Sequence, residues 1–288
     1  MTSASVWRHR TPRGTIVGDD DAPSTQAELR RFVEELSSNL HALEVFTLGR
    51  FRATYRAQAL GLLWPMANPT ILMIVMSVVF GVVFPSSIPA YPVFLMLGLV
   101  PWHFLSHAWT DGTTCFLHHA EIIKRTSVPA YVVVIGTVFS HVLNMGFAAL
   151  SIVPLIAFYP EAFHVSAALL LLPVVVVLLV ALGLGLVLLS AVLNVVYRDV
   201  GYVVNSALVV LFWVTPIVYP MGKLAGLSHK AMLLNPMATL IQCVRVIVLE
   251  GAMPPPAILG AAAVSSLAVL ISGALLYRRF SGVVADHV

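Results

Sequence analysis

Charge is what this sequence has least of. Only 10% of its 288 residues are Asp, Glu, Lys or Arg, against roughly 25% in ordinary soluble domains. Lysine is rarest: Lys124, Lys223 and Lys230 are all there are. None sits in Gly-x-x-x-x-Gly-Lys-Ser/Thr, where backbone amides and a lysine cradle phosphates, so ATP hydrolysis by this chain is not expected. Cysteine is nearly absent too. Cys115 and Cys243 fall near different ends of predicted spans, which argues against a disulfide framework. A net charge of +3, with basic residues scattered rather than massed, gives no nucleic-acid footprint. No short apolar stretch lies near the N-terminus, so no secretory signal peptide is expected.

What is present is apolar: 59% of residues, with a mean hydropathy of +0.93. The first 56 residues hold 15 of the 29 charges. Stretches 57–110, 126–160, 162–197, 200–222 and 251–277 then hold none. A hydrocarbon core of about 30 Å takes about 20 apolar helical residues, so each stretch has room for one crossing or two. The fold class is therefore all-α, a polytopic membrane protein. A free-standing soluble enzyme is excluded.

Residues 1–24 are polar, with Pro12, Gly14, Gly18, Pro23 and the acidic run Asp19–Asp21, and read as a flexible tail. Thr25 and Glu28 have capping-box spacing. Leu29, Phe32, Val33, Leu36, Leu40, Leu43 and Phe46 recur at three- and four-residue steps. Residues 25–56 are thus expected as an amphipathic helix lying in the interface. Six spans follow, at about 62–84, 91–113, 131–158, 166–193, 201–219 and 257–277. Turn-prone Pro85-Ser86-Ser87-Ile88-Pro89 separates the first two, and Pro216 and Pro220 close the fifth. Between spans 5 and 6, Met237–Leu249 is apolar behind Asn235-Pro236, where proline suits a first helical position. At 1.5 Å per residue it reaches only about 20 Å, which suggests a re-entrant or interfacial helix.

Lysine and arginine choose the orientation. Thirteen fall on the face holding both termini; the other face has Lys223, Lys230 and Arg245. The positive-inside rule places both termini in the cytoplasm. Ion-driven carriers usually carry ionisable groups within their spans, and here only Asp111 stands near a span end. His103, His107 and Asp111 share one helix face at i, i+4 and i+8. No third ligand converges to complete a zinc site, so cavity lining or interhelical hydrogen bonding is expected instead. His118 and His119 read as solvated. No activated Ser, Cys or carboxylate pair stands out.

Aromatic residues near span ends suit the interfacial belt. Phe80, Phe84, Trp102, Phe104, Trp109, Phe212 and Trp213 are also candidates to line a pathway, since flat rings stack on sugars without an ionic well.

Several local words are familiar. They are Tyr55-Arg56, Leu60-Gly61-Leu62-Leu63-Trp64-Pro65, Asn68-Pro69, Val79-Phe80-Gly81 and Leu97-Gly98-Leu99-Val100-Pro101-Trp102. Tyr197-Arg198-Asp199, Thr215-Pro216-Ile217-Val218-Tyr219, and Asn235-Pro236 with Arg245 complete the set. In this order, across about residues 50 to 250, they resemble ABC-2-type permeases of the polysaccharide and polyol-phosphate export family. The long N-terminal tail departs from that pattern.

The resemblance implies a permease in the cytoplasmic membrane, paired with a second copy of itself and with two copies of a separate ABC ATPase that holds the ATP and magnesium. The chain itself would need no cofactor. Its cargo would be a polyprenyl-diphosphate-linked glycan such as O-antigen, capsule, teichoic acid or galactan. Under this resemblance, loop 114–130 would couple to the ATPase through Glu121, Lys124 and Arg125. Arg52, Arg56, Lys124 and Arg125 would be candidates for the lipid diphosphate, the arginines foremost for their bidentate reach. An ABC-2 permease for drugs or lipids, or a membrane enzyme, are the alternatives.

Overall fold

The computed structural model describes residues 39–56, 58–83, 88–125, 128–221 and 233–287. Residues 25–38 of the expected amphipathic helix, Phe84, most of the 85–89 turn, Lys223 and Lys230 lie outside them. By its contacts the chain divides into Met1–Leu40, of which only Asn39 and Leu40 are described, and a body, His41–Val288. The described residues form helices joined by turns and short irregular segments, with no strand among them.

The helices in chain order are α1 Leu40–Tyr55, α2 Trp64–Val78, α3 Tyr91–Thr113, α4 Cys115–His118, α5 Ala120–Arg125, α6 Ala130–Ala149, α7 Ile152–Phe158, α8 Leu172–Val196, α9 Val200–Val214, α10 Pro236–Leu249 and α11 Pro256–His287. Four stretches are long and apolar enough to cross a membrane: Gly61–Gly81, Ala130–Phe158, Ala167–Val196 and Pro256–Gly282. Helix α3 matches them in length at 23 residues but carries His103, His107, Asp111 and an internal Pro101.

Helix α3 is the axis of the packing. It touches α2, α6, α8, α9 and α10, and 16 of its residues are buried. Val93, Leu95, Met96, Leu99 and Ala108 have no exposed surface. Lipid tails are as apolar as Leu, so helices here associate through close packing and polar bridges rather than hydrophobic gain. Small residues provide that closeness. A Cβ on Gly185 of α8 would fall 2.6 Å from the backbone of Val269 and Leu270 in α11, and Gly273 faces the carbonyl of Gly185 in return. Helix α8 meets α3 by the same means, with Phe104 lying over Gly183. The Thr113 and Ser190 hydroxyls bridge these two helices at 2.8 Å.

Three elements differ from expectation. Helix α9 stops at Val214 because Pro216 forces Thr215 into extended backbone (φ −83°, ψ 132°). Its 15 residues therefore reach about 22 Å rather than a full crossing. The third expected span breaks between α6 and α7, at Leu150–Ser151. The last helix continues ten residues past its expected end, to His287. The Asn235-Pro236 start of α10 is as expected, and the Asn235 side chain accepts from the amides of Met237 and Ala238. That helix is buried along most of its length.

Candidate functional site

A half-open cleft of about 590 Å³ lies between α1, the start of α2, and helices α3 and α6. Each helix contributes at its own period. Tyr55 comes from α1, and Trp64 and Asn68 from α2. His103, His107 and Asp111 form one stripe of α3, and His141 and Asn144 stand three apart on α6. Apolar Val100, Phe104, Met145 and Ala148 fill the gaps, so the wall alternates polar and greasy patches.

Several of the polar groups satisfy one another, whereas His103 Nε2 is buried without a partner among the described residues. Arg50 donates to Asp111 Oδ2 at 2.9 Å. His141 Nε2 donates to the same oxygen at 3.1 Å, and Asn144 Nδ2 donates to His141 Nδ1 at 3.4 Å. Tyr55 donates its hydroxyl proton to Asn144 Oδ1 at 2.8 Å. One imidazole tautomer of His141 serves both of its contacts. Burial pushes the Tyr55 phenol above its ordinary pKa of 10.0, which keeps it a donor at any physiological pH. The series therefore leaves α1 at Arg50 and returns to it at Tyr55. His103 and His107 stack beside it, ring centroids 5.6 Å apart, and His107 stacks on His141 at 6.3 Å. Among the described residues, no three His, Cys, Asp or Glu side chains are arranged to hold a metal ion.

Arg50 also donates through Nη1 to His119 Nε2 at 3.0 Å. His119 is therefore packed rather than solvated, with its ring edge-on to Phe46 at 5.1 Å. Burial, then the Arg50 and His118 charges, hold its pKa below the usual imidazole value. His118 is exposed, as expected.

A second polar locus lies apart from the cleft. Arg245 of α10 is 2% exposed. It donates to the carbonyls of Pro216 (2.6 Å), Ile217 (2.6 Å) and Phe94 (3.1 Å). Its guanidinium also lies 3.4 Å from the Phe94 ring centroid, close enough for a cation–π contact. Counting Arg245 among loop charges is thus corrected: it is a core residue. Gly98 makes room for it, since a Cβ there would meet Nη2 at 2.8 Å.

The residues singled out in sequence fall in different places. Arg52 on α1 and Arg56 just past its end are exposed, and Thr54 and Tyr55 of α1 line the cleft. Glu121 and Arg125 form an exposed i, i+4 pair at 3.1 Å on α5, and Lys124 beside them is exposed. Trp102 is buried and meets Phe212 edge-on at 5.6 Å. Phe104 is 3% exposed yet borders the cleft. Phe80 packs near Tyr91 at 5.8 Å, Trp109 is partly buried, and Trp213 is 56% exposed. Arg50, His141 and Asn144 escaped the sequence reading. The one signal that could have found two of them is an imidazole and an amide three residues apart in a largely apolar third span.

An apolar helical body with a polar cleft between its helices suits a membrane transporter. The ABC-2 type transporter family matches residues 25–249, and the chain belongs to that family. It is a multi-pass membrane protein.

The chain is 29% identical over 252 residues to the O-antigen export system permease protein RfbA of Myxococcus xanthus, covering 86% of this chain and 95% of that protein. An O-antigen export system permease protein RfbA of Klebsiella pneumoniae is 27% identical over 214 residues, 73% of this chain and 81% of that one. The polysialic acid transport protein KpsM of Escherichia coli is 21% identical over 238 residues, covering 82% and 92%.

Proposed function

We propose that this chain is the permease subunit of an exporter that moves lipid-linked polysaccharide out across the cytoplasmic membrane, driven by ATP hydrolysis on a separate subunit. The observation that carries this reading is near end-to-end similarity to proteins named for O-antigen export. The cleft is compatible with it. Hydroxyl, amide and imidazole groups set among apolar patches suit a cargo with a sugar chain and a lipid tail.

In this reading the chain crosses six times, through α2, α3, α6 with α7, α8, α9 together with the turn after it, and α11, and α10 is re-entrant. Both termini face the cytoplasm. Two copies pair with two ATPase subunits, which hold ATP and magnesium. Arg52 and Arg56 meet the diphosphate of a polyprenyl-linked glycan, with Lys124 and Arg125 as further cationic partners. Glu121, Lys124 and Arg125 face the ATPase. Phe80, Phe84, Trp102, Phe104, Trp109, Phe212 and Trp213 are the aromatic candidates for the cargo path, and Phe104 lines the cleft.

Inside-out vesicles holding this chain and its ATPase test the proposal. Adding ATP should drive undecaprenyl-diphosphate-linked glycan into the lumen. Equal uptake by vesicles without the chain would remove the reading. Normal export by a combined Arg52→Ala, Arg56→Ala variant would reject the diphosphate contact alone.

A further inference from the structure

Arg50 is placed where the cleft and the cytoplasmic-loop helices meet. One arm of its guanidinium holds Asp111, a cleft-wall residue; the other holds His119, between α4 and α5. The arginine fork is planar and can serve two partners at once, which a lysine ammonium on a single stem cannot do in the same geometry. The Asp111 oxygen it holds is shared with His141, and His141 is held by Asn144, which takes the Tyr55 proton.

Four of the cleft's hydrogen-bonding groups, Tyr55, Asn144, His141 and Asp111, are therefore engaged with each other or with Arg50. A guest that offers hydroxyls or phosphate oxygens to Tyr55, Asn144 or His141 has to displace one of these contacts. Each displacement loosens the position of Asp111, and Arg50 carries that change to His119. The ion pair suits a reversible role. Arg50 and Asp111 side chains are 20% and 47% exposed, so solvent screens the pair and opening it costs little.

We propose that Arg50 is a positioning residue that reports occupancy of the cleft to the α4–α5 segment through its paired contacts with Asp111 and His119. This rests on the export reading, which supplies the partner ATPase that the segment would address. Two substitutions separate the relay from a mere staple. Arg50→Lys keeps a cation for Asp111 but gives up the second arm. His119→Ala removes the receiver, and His119 is not itself part of the cleft wall.

The experiment uses the chain purified with its ATPase in lipid nanodiscs, with undecaprenyl diphosphate as probe. ATP hydrolysis, probe binding and melting temperature are read for each protein. The wild-type complex should hydrolyse ATP faster when the probe is present. Both variants should melt and bind probe as wild type does, yet lose at least about five-fold of that stimulation, the lower end of typical site–site coupling. Wild-type-like stimulation in both variants overturns the relay and leaves Arg50 a static staple. Loss of probe binding alongside stimulation also overturns it, because the pair would then belong to the ligand site. If Arg50→Lys fails to fold, His119→Ala decides alone. A wild-type complex that ignores the probe sinks the export reading instead.

Discussion

Two of the arginines in the body of this protein, Arg245 and Arg50, are held in opposite ways. Among the described residues no carboxylate pairs with Arg245; three carbonyls and an aromatic face surround it, and it is 2% exposed. Arg50 is paired with Asp111, half open to solvent, and tied to a histidine on the far side. A buried cation caged by backbone carbonyls locks the segments that supply them, because its removal strands every acceptor at once. Arg245 thereby fixes the turn at Pro216–Ile217 to α3 and α10. A screened pair with alternatives at hand can open and close. The first arginine holds the fold, and the second is available to move.

The largest effect is expected from breaking the cage. Arg245→Ala should cost about 3–5 kcal/mol, because three buried acceptors lose their donor, and thermal melts in detergent would register it. A melt equal to wild type would show that water replaces the guanidinium and that the cage is not structural. Next comes a lesion without charge. Gly185→Ala drives a methyl into the α11 backbone and should cost about 1–3 kcal/mol through overpacking. Because it touches neither arginine, it measures what packing alone contributes between α8 and α11.

Asp111→Asn should be milder, about 1 kcal/mol or less in stability, as expected for a partly exposed pair. Transport should suffer far more than the melt. Equal proportional losses would make both arginines structural and erase the contrast. The smallest effect is a pH dependence at His119. Its folded pKa lies below 6.5 through burial and the neighbouring Arg50 and His118 charges. The unfolded imidazole then binds a proton first as pH falls. Stability is complete above 6.5 and declines as pH drops from there toward the lower folded value. His119→Ala should flatten that decline in melts recorded across the range.

Much of the body was legible because charge is so scarce that its gaps mark helices. The Asn235-Pro236 start of α10 and the shared face of His103, His107 and Asp111 were visible from local spacing alone. Pairings across the chain were not. Arg50 lies 61 residues from Asp111, and Tyr55 lies 89 from Asn144; no periodicity links such positions. Arg245 was misread because a lone cation usually marks a loop. Its setting in the apolar run Met237–Leu249 was the clue, since a charge there must be caged. Helix α9 was expected to end near its second proline, but the restriction acts on the residue before the first, and Thr215 already leaves the helix.

The most direct measurement of the export reading is made in the cell. With the chain depleted, polyprenyl-diphosphate-linked glycan should accumulate on the cytoplasmic side while surface polysaccharide declines. Unchanged surface polymer, with no intracellular accumulation, would contradict it.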